Sequence, residues 1–318
     1  MLSRIAESLF WIGRYVERAD STARILDVHV HLLIEDPWAD EREVCRSLLD
    51  VMGVSESAAT AGGVDAETVA GVMDLLAYDT VSPASITSAL SAARENARGA
   101  REVVSSEMWE CLNITWHALA ERRAASARLG PHTFFRYVRD RAALFEGLTA
   151  STMSRDDGWR FLVLGQALES VDMTARLIAT RAVTYGHSTT LTSLLRASGA
   201  QEPYLRAYRG RLDPAHVAEF LLLDRLFPGS ALFALTVAEE QLTALAPDTG
   251  RLGTSDEARR ALGSTRAMLE FRSADELLSD LPGHLDLLRG VAADVSSAIS
   301  RQYFRQVALV QWERERLS

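Results

Sequence analysis

Lysine is missing altogether. All 34 basic residues of this 318-residue chain are arginine. That excludes a Schiff base, a pyridoxal phosphate anchor, a Walker-type phosphate lysine and the lysine of protein kinases. A self-sufficient nucleotide enzyme is therefore not expected, nor any cofactor. Cysteine is almost as scarce: Cys45 and Cys111 are too few for a disulfide framework. Both sit in amphipathic stretches and read as reduced core residues, in keeping with a cytoplasmic setting. No apolar run approaches the length of a membrane span, and the opening MLSRIAESLFWIGRYVERAD carries a charge every few positions. Neither a membrane partner nor a secretory signal is expected. Clustered positive charge is lacking too. The net charge is −9 and the arginines are scattered among acids, so no nucleic-acid partner is expected. There is no GxSxG elbow, no HExxH, no cysteine zinc spacing and no GxGxxG behind a strand.

What the chain does have is helical periodicity. Its 47% hydrophobic and 24% charged content is that of a globular protein. Ile5, Leu9, Ile12, Val16, Ala19, Ala23, Leu26, Val30 and Leu33 alternate steps of four and three, the seam of a long bundle helix that Asp36-Pro37 should end. A second seam, Phe161, Leu164, Leu168, Val171, Ala175, Ile178 and Ala182, starts 152 residues after Leu9 and keeps that offset from Leu9 through Val30. Within the seams, GRYVERADSTAR (13–24) aligns with GQALESVDMTAR (165–176), identical at Gly, Glu, Asp, Thr, Ala and Arg.

Two more blocks follow in the same order. Ser47-Leu48-Leu49 with Gly53 matches Ser193-Leu194-Leu195 with Gly199; Asp79, Pro83 and Ser85 match Asp224, Pro228 and Ser230. Colinear blocks of this kind signal a tandem duplication. Breaks are expected near 53–64, 184–190 and 246–254, with Pro83 and Pro228 just inside helix starts. Strand-like alternation is nearly absent. The expected fold is all-α, a bundle of about ten to twelve helices from two pseudo-symmetric halves, 1–150 and 151–318. The long helices are expected to cross near a pseudo-two-fold axis.

Glu17, Asp20 and Arg24 fall on one helical stripe beside the seam, and Glu169, Asp172 and Arg176 repeat it. An exposed i,i+4 pair contributes only about 0.3–0.5 kcal/mol, so a triplet held twice beside a core asks for a further reason. One reading is a buried network across the axis, Glu17 with Arg176 and Glu169 with Arg24. A second is a polar cavity in which arginines hold a carboxylate or phosphate and Glu17 or Glu169 acts as the base. A dimetal site is disfavoured, because four-helix carboxylate sites use Glu-x-x-His where this chain has Asp; no metal is expected.

A second cluster, SAARENARGAREVVSSEMWECLN (91–113), holds the chain's two asparagines, Asn96 and Asn113. Arg94, Arg98, Arg101 and Trp109 lie among them, able to cradle an anion or a partner's acidic tail, or else to form a helical hairpin with ordinary salt bridges.

The segments LSRIAESLFWIGRYVERADSTARIL, ARENARGAREVVSSEMWECLN and LESVDMTARL resemble the alpha-E family over essentially the full length. The family is described as α-helical with an "ER" motif, here Glu17-Arg18; the second copy reads Glu169-Ser170. The resemblance implies a context more than a reaction. Genes of this family neighbour, or are fused to, a circularly permuted ATP-grasp ligase and often a transglutaminase-like protease. The expected role is a non-catalytic accessory or scaffold subunit of an amide-ligating or peptide-modifying system, binding a peptide or anionic ligand. The competing expectation is an amide hydrolase or transferase using Glu17 and Glu169, with Arg18, Asp20, Arg24, Asp172 and Arg176 around them.

Overall fold

The computed structural model describes residues 2–35, 40–54, 65, 67–179, 188–247, 251 and 253–304. The first seam forms α1 (Ser3–Glu35), which buries Ile5, Leu9, Ile12, Val16, Ala19, Ala23 and Leu26. It runs up to Asp36-Pro37, which lie outside the described residues. The second seam forms α7 (Asp157–Ala179), burying Phe161, Leu164, Leu168, Val171, Ala175 and Ile178; Ala182 lies outside the described residues.

Between them come α2 (Glu41–Met52), α3 (Val69–Met73, continued by a π-helical turn over Asp74–Tyr78), α4 (Ile86–Gly99), α5 (Ser106–Leu129) and α6 (His132–Thr152). After α7 follow α8 (Ser188–Ala197), α9 (Gln201–Ala207), α10 (Pro214–Leu223), α11 (Ala231–Leu245), α12 (Glu257–Phe271), α13 (Ala274–Ser279) and α14 (Leu281–Tyr303). The fold is all-α, with no strand among the described residues. Among the described residues fourteen α-helices stand where ten to twelve were expected; the short α3, α9 and α13 have too few turns to register as a periodic pattern. Positions 188–190, expected in a loop, open α8.

Helices α1 and α7 pack along each other at the centre, and the rest are arranged about them in matching ways. Helices α4 and α6 lie on α1, as α11 and α14 lie on α7; α5 packs on α4 and α6, as α12 packs on α11 and α14. The buried face of α4 (Ile86, Ala89, Leu90, Ala93) recurs on α11 as Ala231, Ala234, Leu235 and Ala238.

The loops before α4 and α11 share one hydrogen-bond scheme. Asp79 Oδ1 accepts from the backbone N–H groups of Val81 and Ser82, and the Ser85 hydroxyl donates to the Asp79 carbonyl while capping α4. Asp224 Oδ1 accepts likewise from Leu226 and Phe227, and the Ser230 hydroxyl donates to the Asp224 carbonyl and caps α11. The expectation that Pro83 and Pro228 sit inside helix starts is corrected here. Ser85 and Ser230 are the N-caps, because a serine oxygen satisfies the first-turn N–H groups and a proline cannot.

The centre is set by two glycines at equivalent places. A Cβ built on Gly13 would fall within the envelope of the Leu162 carbonyl oxygen and 2.9 Å from Gln166 N. One built on Gly165 would strike the Phe10 carbonyl and come 3.3 Å from Arg14 N. The helices therefore meet backbone to backbone, with no flexible side chain able to give way. Gly13→Ala or Gly165→Ala is expected to cost at least the 1–3 kcal/mol of ordinary overpacking, roughly. The double variant should cost less than the sum, since separating the helices once relieves both clashes. Urea unfolding of the three variants checks this; additive losses would mean that the two glycines do not share one contact.

Candidate functional site

Glu17 and Glu169 lie one turn beyond the two glycines, on the inner faces of α1 and α7. Their surroundings differ. Glu169 is fully buried. Arg14 Nε donates to its Oε2 at 2.6 Å, and Arg18 donates through Nε to Oε1 at 2.6 Å and through Nη2 to Oε2 at 3.0 Å. Arg14 reaches on to the Ser296 hydroxyl. Burial pushes the Glu169 carboxyl up, but the guanidiniums of Arg14 and Arg18 outweigh that and hold it below the usual carboxylate range. It is an ionised, fully engaged structural acid.

Glu17 is partly buried, and among the described residues only the Ser21 hydroxyl donates to it, to Oε1 at 3.1 Å. Burial first, and then the charge of Asp20, push it up to about 8; at neutral pH this carboxyl holds its proton. The cause is legible in the alignment of the two copies. Where the first copy has Arg14 and Arg18, the second has Gln166 and Ser170, so nothing on α7 gives Glu17 a counter-ion. Successive helical residues point about 100° apart, so the Glu17-Arg18 pair serves both sides of the crossing: the acid on one, the arginine on the other.

Arg24 and Arg176 do something else. Each first pairs within its own helix, Arg24 Nε with Asp20 Oδ2 at 2.6 Å and Arg176 Nε with Asp172 Oδ2 at 2.8 Å. Each then reaches a helix end in the opposite half of the sequence. Arg176 Nη1 donates to the Val51 carbonyl at 2.9 Å, at the C-terminus of α2, beneath Gly53. Arg24 lies the same way beneath Gly199, after α8. Both glycines take left-handed φ values, +70° and +66°, in the turn that closes a helix, and a cation there favours the carbonyl end of the dipole. The expected pairs Glu17–Arg176 and Glu169–Arg24 are therefore not formed. Helical spacing places the arginines on the right stripe, but their length carries them past the axis to α2 and α8.

A cleft of about 410 Å³ opens beside Glu17. Its polar wall comprises Glu17, Asp20, Ser21 and Arg24 of α1, Glu146 of α6, and Gln166 and Ser170 of α7; Ile25, Met173, Phe227 and Phe233 are among its apolar residues. Asp20 Oδ1 is buried without a hydrogen-bond partner among the described residues. On the other side of the crossing, a groove of about 640 Å³ holds Trp11, Arg14, Arg18, Asp172, Arg176 and Arg289. Equivalent places on the two long helices thus face an acidic cleft and an arginine-rich groove. Among the described residues, no three His, Cys, Asp or Glu side chains converge as a metal site.

The 91–113 cluster is well away from both in character. Arg94 donates to Asn113 Oδ1 at 2.9 Å and to Glu95 at 2.6 Å, and lies over the rings of Trp116 (4.5 Å) and Trp109 (5.6 Å). Arg101 also covers Trp109, Arg98 pairs with Glu95, and Asn96 donates to the Ala92 carbonyl. These groups engage one another in a helical hairpin, the plainer of the two readings. Arg14, Ser21, Glu146 and Gln166 were not singled out from sequence; for Arg14 the signal was available, as a difference between the copies at a position next to an identical glycine.

Glu169→Gln is expected to destabilise by about 3–5 kcal/mol, because it strands two largely buried arginines. Glu17→Gln acts in the opposite sense. The folded chain keeps the Glu17 proton up to about pH 8 while the unfolded chain loses it near 4.5, so stability falls as pH rises across that window. The glutamine variant should lack this decline, matching the parent in acid and exceeding it above the window. Denaturant unfolding at stepped pH measures both; an unchanged slope in Glu17→Gln would mean Glu17 titrates normally.

A family described as a predicted alpha-helical domain with a conserved ER motif matches residues 1–304. Uncharacterized proteins of Mycobacterium bovis and Mycobacterium tuberculosis are 27% identical over 340 residues, covering 96% of this chain and 37% of theirs. The chain thus spans well under half the length of these relatives. No solved structure gives a significant match. No helix among the described residues is long and apolar enough to cross a membrane.

Proposed function

The chain belongs to the alpha-E family, and we propose that it is a non-catalytic accessory or scaffold subunit of an amide-ligating or peptide-modifying system. In this reading it works in the cytoplasm beside an ATP-grasp ligase, with a transglutaminase-like protein as a further partner, and holds the ligase's substrate. The carrying observation is the cleft beside Glu17. It is sized for a small ligand or the end of a peptide, yet its lining has no His, Cys or Lys and its central carboxyl stays protonated at neutral pH. Such a wall binds; it offers no activated nucleophile.

Two further observations support the reading. In relatives, a unit like this one is part of a much longer chain, of which it covers 37%. The two halves, 1–150 and 151–318, are proposed as copies of one unit, locked together by Gly13, Gly165, Arg24 and Arg176 into a single body rather than separable domains. Cys45 and Cys111 are buried free thiols, in keeping with a reducing compartment.

One observation favours the enzyme reading. Glu17 is pushed up to about 8 and accepts from the Ser21 hydroxyl, as a general acid would. The two readings separate in one experiment. Under the accessory reading the purified chain turns over no peptide or amide alone, co-purifies with an ATP-grasp ligase from its own source, and raises that ligase's turnover. Ligase behaviour indifferent to the chain would overturn it. Turnover by the chain alone, abolished in Glu17→Gln, would establish the enzyme instead.

A further inference from the structure

We propose that the arginine-rich groove on the Glu169 side of the crossing takes a carboxylate, the acid end of a ligand whose apolar part lies along Trp11. This site is separate from the cleft beside Glu17 and does not depend on the role proposed for that cleft.

The groove, about 640 Å³, has room for a small molecule or a peptide end, and it is cationic in a chain whose net charge is −9. Helix α1 contributes Arg14 and Arg18, α7 contributes Asp172 and Arg176, and α14 contributes Asp286 and Arg289. With Glu169 behind them, four arginines meet three acids. The surplus lies at Glu169, where two guanidiniums share one carboxylate. Asp172 is taken up by Arg176 at 2.8 Å, and the Asp286 side chain stands 78% exposed to water, which screens its charge. Beyond Arg176 and Arg289 the adjoining surface carries acids of α2 as well, Glu43 and Asp50 among them. The cationic stretch is therefore the part between Trp11 and Arg289.

Two guanidiniums there have donors in reserve. Arg14 is only 7% exposed, yet it uses just Nε on Glu169 and Nη1 on Ser296. Among the described residues its Nη2 has no acceptor, and that atom is not sealed from the groove. Arg289 makes one contact, Nη1 to Asp286 at 3.4 Å, and its Nε is buried without a partner among the described residues. The Nε–Nη2 edge of Arg289 is the edge that Arg18 lays against both oxygens of Glu169, a fork that fits a carboxylate. As the side chain stands Nε is closed off, so binding requires Arg289 to turn. A side chain 36% exposed and held by one long contact is free to do so. A buried donor without an acceptor is costly, and an anion drawn to Arg14 Nη2 relieves that cost.

The charge balance favours a monoanion: one surplus positive charge matches one carboxylate, whereas a phosphate dianion leaves a negative charge unmatched beside Asp172. Trp11, partly buried and stacked on Tyr15, and Ala292 and Ala293 of α14 supply the apolar wall. Calorimetric titration of the full chain with hexanoate, hexanol and inorganic phosphate is the test. Hexanoate should bind once per chain, about tenfold or more tighter than hexanol, the margin of a charge-assisted hydrogen bond. It should also bind tighter than phosphate, and more weakly as salt is raised. Arg289→Ala removes a half-exposed side chain and leaves the Glu169 clamp whole. It should lose about tenfold in hexanoate affinity and unfold in urea as the parent does. Absent hexanoate binding, equal binding of hexanol, tighter binding of phosphate, or full affinity in Arg289→Ala would each overturn the proposal. The first three need no variant to fold.

Place and source are separated by two further measurements. A guanidinium and a carboxylate both keep their charge between about pH 6 and pH 9, so the affinity should be flat there. An affinity that instead follows the Glu17 proton, and loses that dependence in Glu17→Gln, would put the ligand in the other cleft and overturn the proposal. An N-acetylated leucine peptide with a free carboxyl terminus, run beside its amidated form, identifies the source. Binding of the free acid alone assigns the groove to peptide carboxyl termini; binding of hexanoate but neither peptide assigns it to small acids. Both support a carboxylate site, whatever the chain does to a ligase.

Discussion

Two peptide backbones touch where Gly13 meets Leu162 and Gly165 meets Phe10, and that contact governs the rest of the molecule. With no room for a Cβ on either helix, α1 and α7 are pinned at one crossing point. Everything a turn further on is then placed as well. Glu17 and Glu169 must lie in the partly or wholly closed space beside the crossing. Arg24 and Arg176, two turns further, come within reach of the ends of α8 and α2. A bundle held only by larger side chains would let the helices slide by a turn at modest cost; a glycine-to-backbone contact does not, since only one register brings both glycines opposite a carbonyl.

The crossing also creates an electrostatic problem that the chain resolves by pairing one acid and not the other. Two carboxylates near one axis, away from bulk water, raise each other's proton affinity, and Glu169 does act on Glu17 in that sense. Counter-ions are supplied to one only. Arg14 and Arg18, both on α1, reach across to Glu169, while Gln166 and Ser170 leave Glu17 without one. The outcome is one ionised acid built into the structure and one neutral acid facing a cleft. The α1–α7 pair can thus keep matching backbone contacts at Gly13 and Gly165 while its two sides take opposite electrostatic characters.

Much of the framework could be read from the sequence because helical burial repeats at a period that the residues display directly. The seams from Leu9 and from Phe161 are buried at every described position up to Ala23 and Ile178, and the identical glycines and Asp…Arg stripes stood in view. What escaped was partner choice. Spacing puts Arg24 on the stripe of Glu17, yet a guanidinium on a long stem can bind anywhere within its reach, and the nearer demand was an Asp four residues back together with the carbonyl end of a neighbouring helix. The same ambiguity attached to 91–113, where Arg94 is engaged by Trp109, Trp116 and Asn113 while Arg98 and Arg101 stay exposed. Short helices such as α13 escaped because six residues span fewer than two turns.

The differences between the aligned segments 13–24 and 165–176 separate the two sides of the crossing more than their identities do. Gly13, Asp20 and Arg24 recur because α1 and α7 need the same crossing and the same helix-end contacts, so their repetition is explained by architecture alone. Arg14 against Gln166 and Arg18 against Ser170 change no helix and no seam, yet they determine which glutamate is charged. An acid that keeps its proton, beside an aspartate oxygen left without a donor, adds nothing to the stability of this crossing; by the linkage between proton affinity and folding it detracts from stability as pH rises. Unpaired groups of that kind persist where another molecule completes them. The asymmetry at the axis is therefore what the proposed binding role of the Glu17 side rests on, while the Glu169 side is an ion-paired clamp between α1 and α7.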